Sequence, residues 1–172
     1  AINLLSYVID PFTKDARFDY ELFAKHAEYA LRIMDDIVDL EVEKIDKIIE
    51  KIQNDPQNEE IKQVELNLWK RIQKKAKEAR RTGVGVTAEG DMLAAMGLRY
   101  GTPEATKFSI DIHKRYALSV YRSSNILAKE RGSFTIWDPV FPAEMYIVRR
   151  SLSKVNESDA IWKISFLRGI PT

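Results

Sequence analysis

The chain has 172 residues, of which 45% are hydrophobic and 31% are charged, a composition typical of one soluble globular domain. Its net charge of +1 disfavours a protein that needs a strong positive field to bind nucleic acid. No run approaches the roughly 20 apolar residues of a membrane span and no signal-like core is present, so we predict a cytoplasmic protein without a membrane partner. Because there is no cysteine, disulfides, thiolate metal sites and cysteine nucleophiles or radicals are excluded on this chain.

The predicted elements follow the order of a helix-rich α/β protein, and residues 1–172 form a single segment. Residues 1–9 are apolar and β-branched and predict a strand. Long stretches with helical periodicity predict helices at about 19–53 and 59–81. The remaining predicted elements are a strand at about 83–87, helices at about 88–96 and 103–131, and an irregular helical tail over 132–172 with helical stretches near 144–152 and 158–166.

Capping residues mark several helix ends. Asp19 is placed as the N-cap of the first long helix, and Thr102 followed by Pro103 opens the last long helix. Gly97 is the expected C-cap of the short helix between them. These signals fix where the chain turns between its predicted elements.

The second long helix carries two surfaces. Its apolar residues recur at helical spacing and lie on one face: Ile61, Val64, Leu68, Ile72, Ala76 and Ala79. Its last turns are basic through Lys70, Arg71, Lys74, Lys75, Lys77, Arg80 and Arg81. A solvated face that complements the negative end of the helix dipole is the favoured interpretation. A nucleic-acid or phosphate patch is the alternative, although no aromatic residues are interleaved for stacking.

The chain is organised around a glycine-rich stretch from Arg80 to Gly101, which holds five of its seven glycines. Glycine is used where the backbone turns tightly or is approached closely. The letters from Gly83 to Ala88 satisfy the dinucleotide pattern G-x-G-x-x-A. That fingerprint needs a strand before its first glycine, whereas a charged helix precedes it here, so the nucleotide interpretation is disfavoured.

No complete catalytic constellation is visible in the residues alone. Glu89 and Asp91 flank Gly90 at a helix start, where the helix dipole favours carboxylates. His26 and His113 have no second ligand at metal-site spacing, so we predict no metal site.

Two polar clusters within helices have structural interpretations. One contains three serines at helical spacing, which indicates close helix packing rather than a nucleophile: Ser119, Ser123 and Ser124. The other resembles an acidic metal cluster but is better explained as a polar helix face: Asp35, Asp36 and Asp39.

The stretch from Arg80 to Ala94 closely resembles a signature of the large catalytic chain of ribonucleotide reductases, Arg-Arg-x-Gly-hydrophobic-Gly-Val followed by a short helix. Two flanking segments resemble the same family in register, residues 1–8 and residues 122–134, so the likeness covers about the first 135 residues. The form Thr-Ala-Glu-Gly-Asp-Met-Leu is most similar to the adenosylcobalamin-dependent, class II members.

The resemblance implies part of a ten-stranded α/β barrel that reduces ribonucleotides to deoxyribonucleotides by radical chemistry. In that family a cysteine thiyl radical abstracts the 3′ hydrogen, a glutamate and an asparagine assist, and a cysteine pair supplies electrons. The loops that carry these groups are expected before Ala1, and the substrate phosphate loop after Thr172. The chain is therefore expected to be an internal, inactive fragment of a larger catalytic domain, with adenosylcobalamin, ribonucleotide substrate and nucleotide effector bound by the parent and no cofactor bound here.

The resemblance also implies roles for residues of the glycine-rich stretch. One end of a barrel strand, adjacent to substrate, is expected at Thr87, Glu89, Gly90 and Asp91. A structural motif with close backbone packing is expected at Arg80, Arg81, Gly83 and Gly85. Diphosphate and triphosphate substrates both stay open, and the basic second helix is longer than the common family pattern.

Two other functions remain open beside this one. A free-standing helical interaction module would use the face formed by Ile61, Val64, Leu68 and Ile72 and would form a stable oligomer. A basic-patch nucleic-acid binder would lose affinity steeply with salt and on charge reversal at Lys74, Lys75 and Arg80. We also expect the fragment to self-associate through apolar faces that the rest of the barrel would cover.

Overall fold

A computed structural model describes residues 1–136, and the predicted tail from residue 137 onward, with its helices near 144–152 and 158–166, lies outside them. The chain divides into two compact units. The first contains Ala1–Ile33 and Gly83–Ile126, and the second contains Met34–Thr82 and, among the described residues, 127–136. None of the helices in the described part combines the length and apolar character that crossing a membrane requires.

The N-terminal segment of the first unit forms two short strands, β1 (Ile2–Asn3) and β2 (Val8–Ile9), separated by a 3-10 turn at Leu4–Tyr7. The single strand predicted over residues 1–9 is therefore interrupted. The physical reason is local, because Asn3 Oδ1 accepts the amide of Leu5 at 3.0 Å and so starts a turn in place of the ladder. Strand β2 pairs antiparallel with β3 (Arg17–Phe18).

The glycine-rich stretch forms a strand and a short helix. Strand β4 (Val86–Thr87) pairs parallel with β1, where the sequence predicted a strand over about 83–87. Helix α3 (Glu89–Ala95) follows. It ends in a Schellman motif, since Gly97 has φ +70° and the amide of Leu98 donates to the carbonyl of Leu93 at 2.8 Å. Glycine adopts this left-handed conformation without a steric cost.

Three long helices complete the described chain: α1 (Tyr20–Gln53), α2 (Glu59–Ala79) and α4 (Pro103–Arg131). The predicted N-cap of α1 is confirmed, because Asp19 Oδ1 accepts the amide of Leu22 at 2.9 Å. The predicted N-cap of α4 is confirmed as well, through Thr102 Oγ1.

The core of the first unit joins its strands to α1, α3 and α4. Its largest fully buried side chains are Leu4, Phe23, Met92 and Ile112. Aromatic rings pack edge to face at its centre, with the Tyr7 and Phe23 centroids 5.2 Å apart, an arrangement that adds to area burial. This packing fixes the position of β4 and of the turn that follows it.

The second unit contains the C-terminal part of α1 and the whole of α2. Four residues of the apolar face of α2 are exposed, with exposed fractions of 52%, 71%, 53% and 37% for Ile61, Val64, Leu68 and Ile72. Ala76 and Ala79 on the same face are half-buried, and Leu66 is buried. Polar contacts join α2 to α1: Asp46 accepts from Gln73 and lies 3.8 Å from Lys77, while Arg80 contacts Asp35 and Asp39.

Candidate functional site

The carboxyl ends of β1 and β4 lie at one edge, because the strands are parallel and Asn3 is opposite Thr87. The amide of Ile2 donates to the carbonyl of Gly85 at 2.7 Å and fixes this register. Asn3 uses its side chain to cap Leu5, whereas Thr87 is exposed. Ligands of parallel sheets bind outside the carboxyl ends of the strands, so this edge is the candidate functional site.

The turn between β4 and α3 contains a strained residue. Ala88 is left-handed, with φ 61° and ψ 34°, and gives α3 no side-chain cap. The conformation costs an alanine about 1 kcal/mol, and such outliers cluster at functional sites. Ala88 was not predicted as a site residue; the available signal was the missing capping side chain before Glu89.

The side chain of Glu89 contacts two residues of α4. The hydroxyl of Ser109 donates to Glu89 Oε1, and Nδ1 of His113 lies 4.0 Å from the same oxygen. His113 Nδ1 also lies 3.0 Å from the carbonyl of Ser109, within hydrogen-bond distance. These contacts hold the first turn of α3 in place, so Glu89 serves to position the edge. Ser109 was not singled out from the sequence, and nothing in its spacing marks this contact.

Gly90 and Asp91 occupy the exposed first turn of α3. A methyl group placed on Gly83, Gly85 or Gly90 would meet no atom within 4 Å, and none of the three has a positive φ. Close backbone packing at Gly83 and Gly85 stays a prediction for the barrel, because no other residue within 1–136 approaches the side-chain position of either glycine. The physical reason is that β4 has only β1 as a neighbour in this part of the chain.

Arg80 and Arg81 differ in their surroundings. Arg80 is the left-handed C-cap of α2, with φ 41°. Its guanidinium donates through Nε to Asp35 Oδ1 at 2.7 Å and through Nη1 to Asp39 Oδ1 at 2.6 Å. A third bond runs from Nη2 to the Asp35 carbonyl at 2.9 Å. Arg81 is exposed.

The acidic cluster of α1 forms an ion-pair network in which Asp35 is buried and Asp36 and Asp39 are exposed. Its three carboxylates lie within 4.8 Å of one another, and a second guanidinium, Arg131, contacts Asp35 and Asp36. Burial opposes ionisation of Asp35, but Arg80 and Arg131 outweigh it and hold the pKa of this carboxyl below its ordinary value of 3.8. Hydrogen bonds to Asp39 and Asp35 raise the pKa of Arg80. Two guanidinium groups thus supply the positive charge that a metal ion would otherwise bring.

The remaining candidate side chains are His26 and the serines of α4. His26 Nδ1 lies 3.1 Å from the hydroxyl of Tyr7. Ser119 and Ser123 are buried, and Ser123 donates to the carbonyl of Glu28 at 2.8 Å. The interpretation of the serines as helix-packing residues is confirmed for these two.

Comparison with known proteins identifies the family. The family model for the ribonucleotide reductase barrel domain matches residues 1–163. No solved structure matches the chain significantly.

Two curated relatives carry the name vitamin B12-dependent ribonucleoside-diphosphate reductase, from Mycobacterium tuberculosis strains CDC 1551 / Oshkosh and ATCC 25618 / H37Rv. Each is 25% identical over 132 residues, which is 77% of this chain. The chain spans 16% and 15% of the length of these relatives. The resemblance drawn from the glycine-rich stretch is confirmed: the chain belongs to the ribonucleotide reductase barrel-domain family, and its curated relatives are of the B12-dependent type.

Proposed function

We propose that the chain forms part of the wall of a ten-stranded α/β barrel in a class II ribonucleotide reductase. The parent protein would reduce ribonucleotides to deoxyribonucleotides with adenosylcobalamin, bind a nucleotide effector, and supply the rest of the barrel. The family match over residues 1–163 and the names of the M. tuberculosis relatives support this proposal. Diphosphate is the favoured substrate form, because both relatives are named as diphosphate reductases.

The observation that carries the proposal is the parallel pairing of Ile2 with Val86. Parallel strands need a crossover connection, usually helical, and α1 and α2 lie between these two in the chain. In such folds, side chains at the carboxyl ends of strands contact the ligand. We therefore assign Thr87, Glu89, Gly90 and Asp91 to the substrate side of the barrel.

Each of these residues would contribute differently. Thr87 has an exposed hydroxyl that can hydrogen-bond a substrate. Gly90 has open space where a side chain would stand, so a ligand could approach its backbone closely. Glu89 would position this edge through Ser109. The four residues would bind and orient the ribonucleotide substrate, and they supply no redox group.

The radical and redox steps would come from other parts of the parent. The chain has no thiol, and adenosylcobalamin supplies the radical initiation when it is bound.

The test is Thr87→Val in the reductase that contains this segment, assayed with adenosylcobalamin and a ribonucleoside diphosphate. We expect kcat/KM to fall on the order of tenfold, the loss of one transition-state hydrogen bond. Thr106→Val is the matched control, because Thr106 is exposed on α4 and donates to its own helix. Equal rates for both variants would overturn the substrate-side assignment. Absence of reduction by the unsubstituted protein, with diphosphate and triphosphate alike, would overturn the function.

The nucleic-acid alternative is weakened by the ion pairs of the basic segment. Three of its cations face carboxylates: Lys74 with Glu78, Lys77 with Asp46, and Arg80 with Asp35 and Asp39. Charge reversal at Lys75 tests this alternative without breaking a salt bridge within the described residues. Binding that is absent at low salt would exclude a phosphate-backbone contact.

A further inference from the structure

Helix α4 holds the carboxylate of Glu89 at one of its two oxygens. The contacts are made to Oε1, which accepts a hydrogen bond from the hydroxyl of Ser109 and lies 4.0 Å from Nδ1 of His113. Within residues 1–136, Oε2 accepts no hydrogen bond. Because the side chain of Glu89 is 36% exposed, Oε2 is the oxygen that is left for a ligand.

The place of Glu89 in the first turn of α3 explains its charge but not its fixed orientation. A carboxylate there complements the positive end of the helix dipole, and Asp91 of the same turn does so as well. That effect needs no particular rotamer. The hydrogen bond from Ser109 joins positions 20 residues apart and selects one orientation of the carboxylate. Supporting hydrogen bonds of this kind are typical of side chains that contact a ligand.

The charge at this edge selects the part of a ribonucleotide that it can contact. A ribonucleoside diphosphate has anionic phosphates at one end and, on its ribose, neutral hydroxyl groups that donate hydrogen bonds. Glu89 and Asp91 are both acidic, and no lysine or arginine of residues 1–136 forms an ion pair with either of them. An ionised carboxylate repels a phosphate, whereas it is a strong acceptor for a hydroxyl donor. The ribose therefore fits this edge better than the phosphates do.

We propose that Glu89 Oε2 accepts a hydrogen bond from a ribose hydroxyl of the substrate, and that Ser109 is the positioning residue that holds the carboxylate for this contact. The contact rests on the proposed function and assigns the ribose end of the ribonucleotide to the edge formed by β1 and β4. Glu89 orients the sugar, and no covalent bond forms or breaks at its carboxylate. It is a different residue from the glutamate that the family resemblance implies before Ala1.

Equilibrium binding to the reductase that contains this segment tests the contact without turnover. The two probes are a ribonucleoside diphosphate and its 2′,3′-dideoxy counterpart, which lacks both ribose hydroxyls. Glu89→Gln keeps an oxygen for Ser109 and replaces the second oxygen by an amide nitrogen, which donates and does not accept. We expect it to weaken binding of the ribonucleotide on the order of tenfold and to leave binding of the dideoxy probe nearly unchanged. Equal weakening of both probes, or of neither, would overturn the contact.

A second carboxylate provides the matched control. Glu104 is exposed in the first turn of α4, so Glu104→Gln should change the affinity for neither probe, and circular dichroism of each variant reports whether the helices persist. If the unsubstituted reductase binds and reduces ribonucleotides while Glu89→Gln behaves like Glu104→Gln, the contact is wrong and the proposed function stands. If the unsubstituted reductase neither binds nor reduces ribonucleotides, the proposed function fails and the contact fails with it.

Substitution of Ser109 tests the positioning role. Ser109→Ala removes the donor that holds Oε1 and should weaken binding of the ribonucleotide more than binding of the dideoxy probe. Ser109→Thr keeps a hydroxyl and should restore most of the difference in affinity between the two probes. Combined with Glu89→Gln, Ser109→Ala should cause less than the sum of the two losses, because both changes act on one contact. Additive losses, or a loss from Ser109→Ala that is equal for both probes, would show that Ser109 stabilises the fold and does not position Glu89 for the substrate.

Discussion

Removal of the Arg80 side chain should destabilise the second unit through one identifiable network. Arg80→Met keeps much of the apolar length of the side chain and deletes the guanidinium that contacts Asp35 and Asp39. Asp35 is 6% exposed, so the lost charge-assisted bond is worth about 2 kcal/mol. The bond to the Asp35 carbonyl adds about 1 kcal/mol. The contact to Asp39 adds little, because its side chain is 54% exposed and solvent screens the pair.

Arg80→Met is therefore expected to lower the free energy of unfolding by about 3 kcal/mol. The decrease is smaller than for a buried carboxylate left without any cation, because Arg131 still faces Asp35. Urea unfolding followed by far-UV circular dichroism measures it. Arg81→Met, one residue along and exposed, should change stability by less than about 0.5 kcal/mol. If both variants lose the same amount, the network does not stabilise the unit and the reasoning is wrong. Arg80→Gly should lose about 1 kcal/mol less than Arg80→Met, since glycine relieves the left-handed C-cap.

Three further changes test separate contacts. The pKa of Asp35 is lowered in the folded chain, so its ionisation stabilises the fold above pH 3.8, and this contribution is lost as pH falls through the folded pKa. Asp35→Asn should therefore flatten the acid limb of a curve of unfolding free energy against pH. An unchanged acid limb would contradict this role of Asp35. Ala88→Gly should raise the unfolding midpoint by relieving about 1 kcal/mol of left-handed strain, measured by thermal unfolding, whereas Ala88→Val should lower it. Tyr116→Phe removes the hydroxyl that donates to the Val84 carbonyl and should cost about 1 kcal/mol in the same assay, with Tyr100→Phe, 82% exposed, as the neutral control.

Local signals in the sequence predicted the helix starts, while the rotation of α2 required information that local patterns lack. Asp19 and Thr102 each accept from an amide three residues away, so the adjacent sequence contains the whole interaction. The contact of Asp46 with Gln73 joins positions 27 residues apart. Periodicity indicates which residues share a face but not which face packs, and α2 buries Leu66 while Val64 and Leu68 are exposed.

The residues at the carboxyl ends of β1 and β4 were only partly predictable from the sequence, again because some of their contacts join distant segments. The resemblance directed attention to Thr87 and to the first turn of α3, because a contiguous motif marks them. The ties from Ser109 and His113 to Glu89 cross from α4 to α3, and no spacing rule connects those segments. The left-handed conformation of Ala88 could not be predicted from the sequence either, since alanine rarely adopts a positive φ.

β4 has a strand neighbour on one side only within the described residues. A substitution on β4 should therefore affect stability differently in the 172-residue chain and in the proposed barrel. A methyl group on Gly85 meets nothing within 4 Å, and its φ is not positive. In the 172-residue chain, Gly85→Ala should therefore be neutral or stabilising by about 0.4–1 kcal/mol, because alanine reduces the freedom of the unfolded chain. In the proposed parent reductase, a barrel strand packed against β4 would meet that methyl group, and the same change should be destabilising by about 1–3 kcal/mol. Chemical denaturation of both proteins compares the two. An equal, stabilising effect in both would mean that no neighbouring element approaches Gly85, and β4 would then not be an inner strand of the barrel wall.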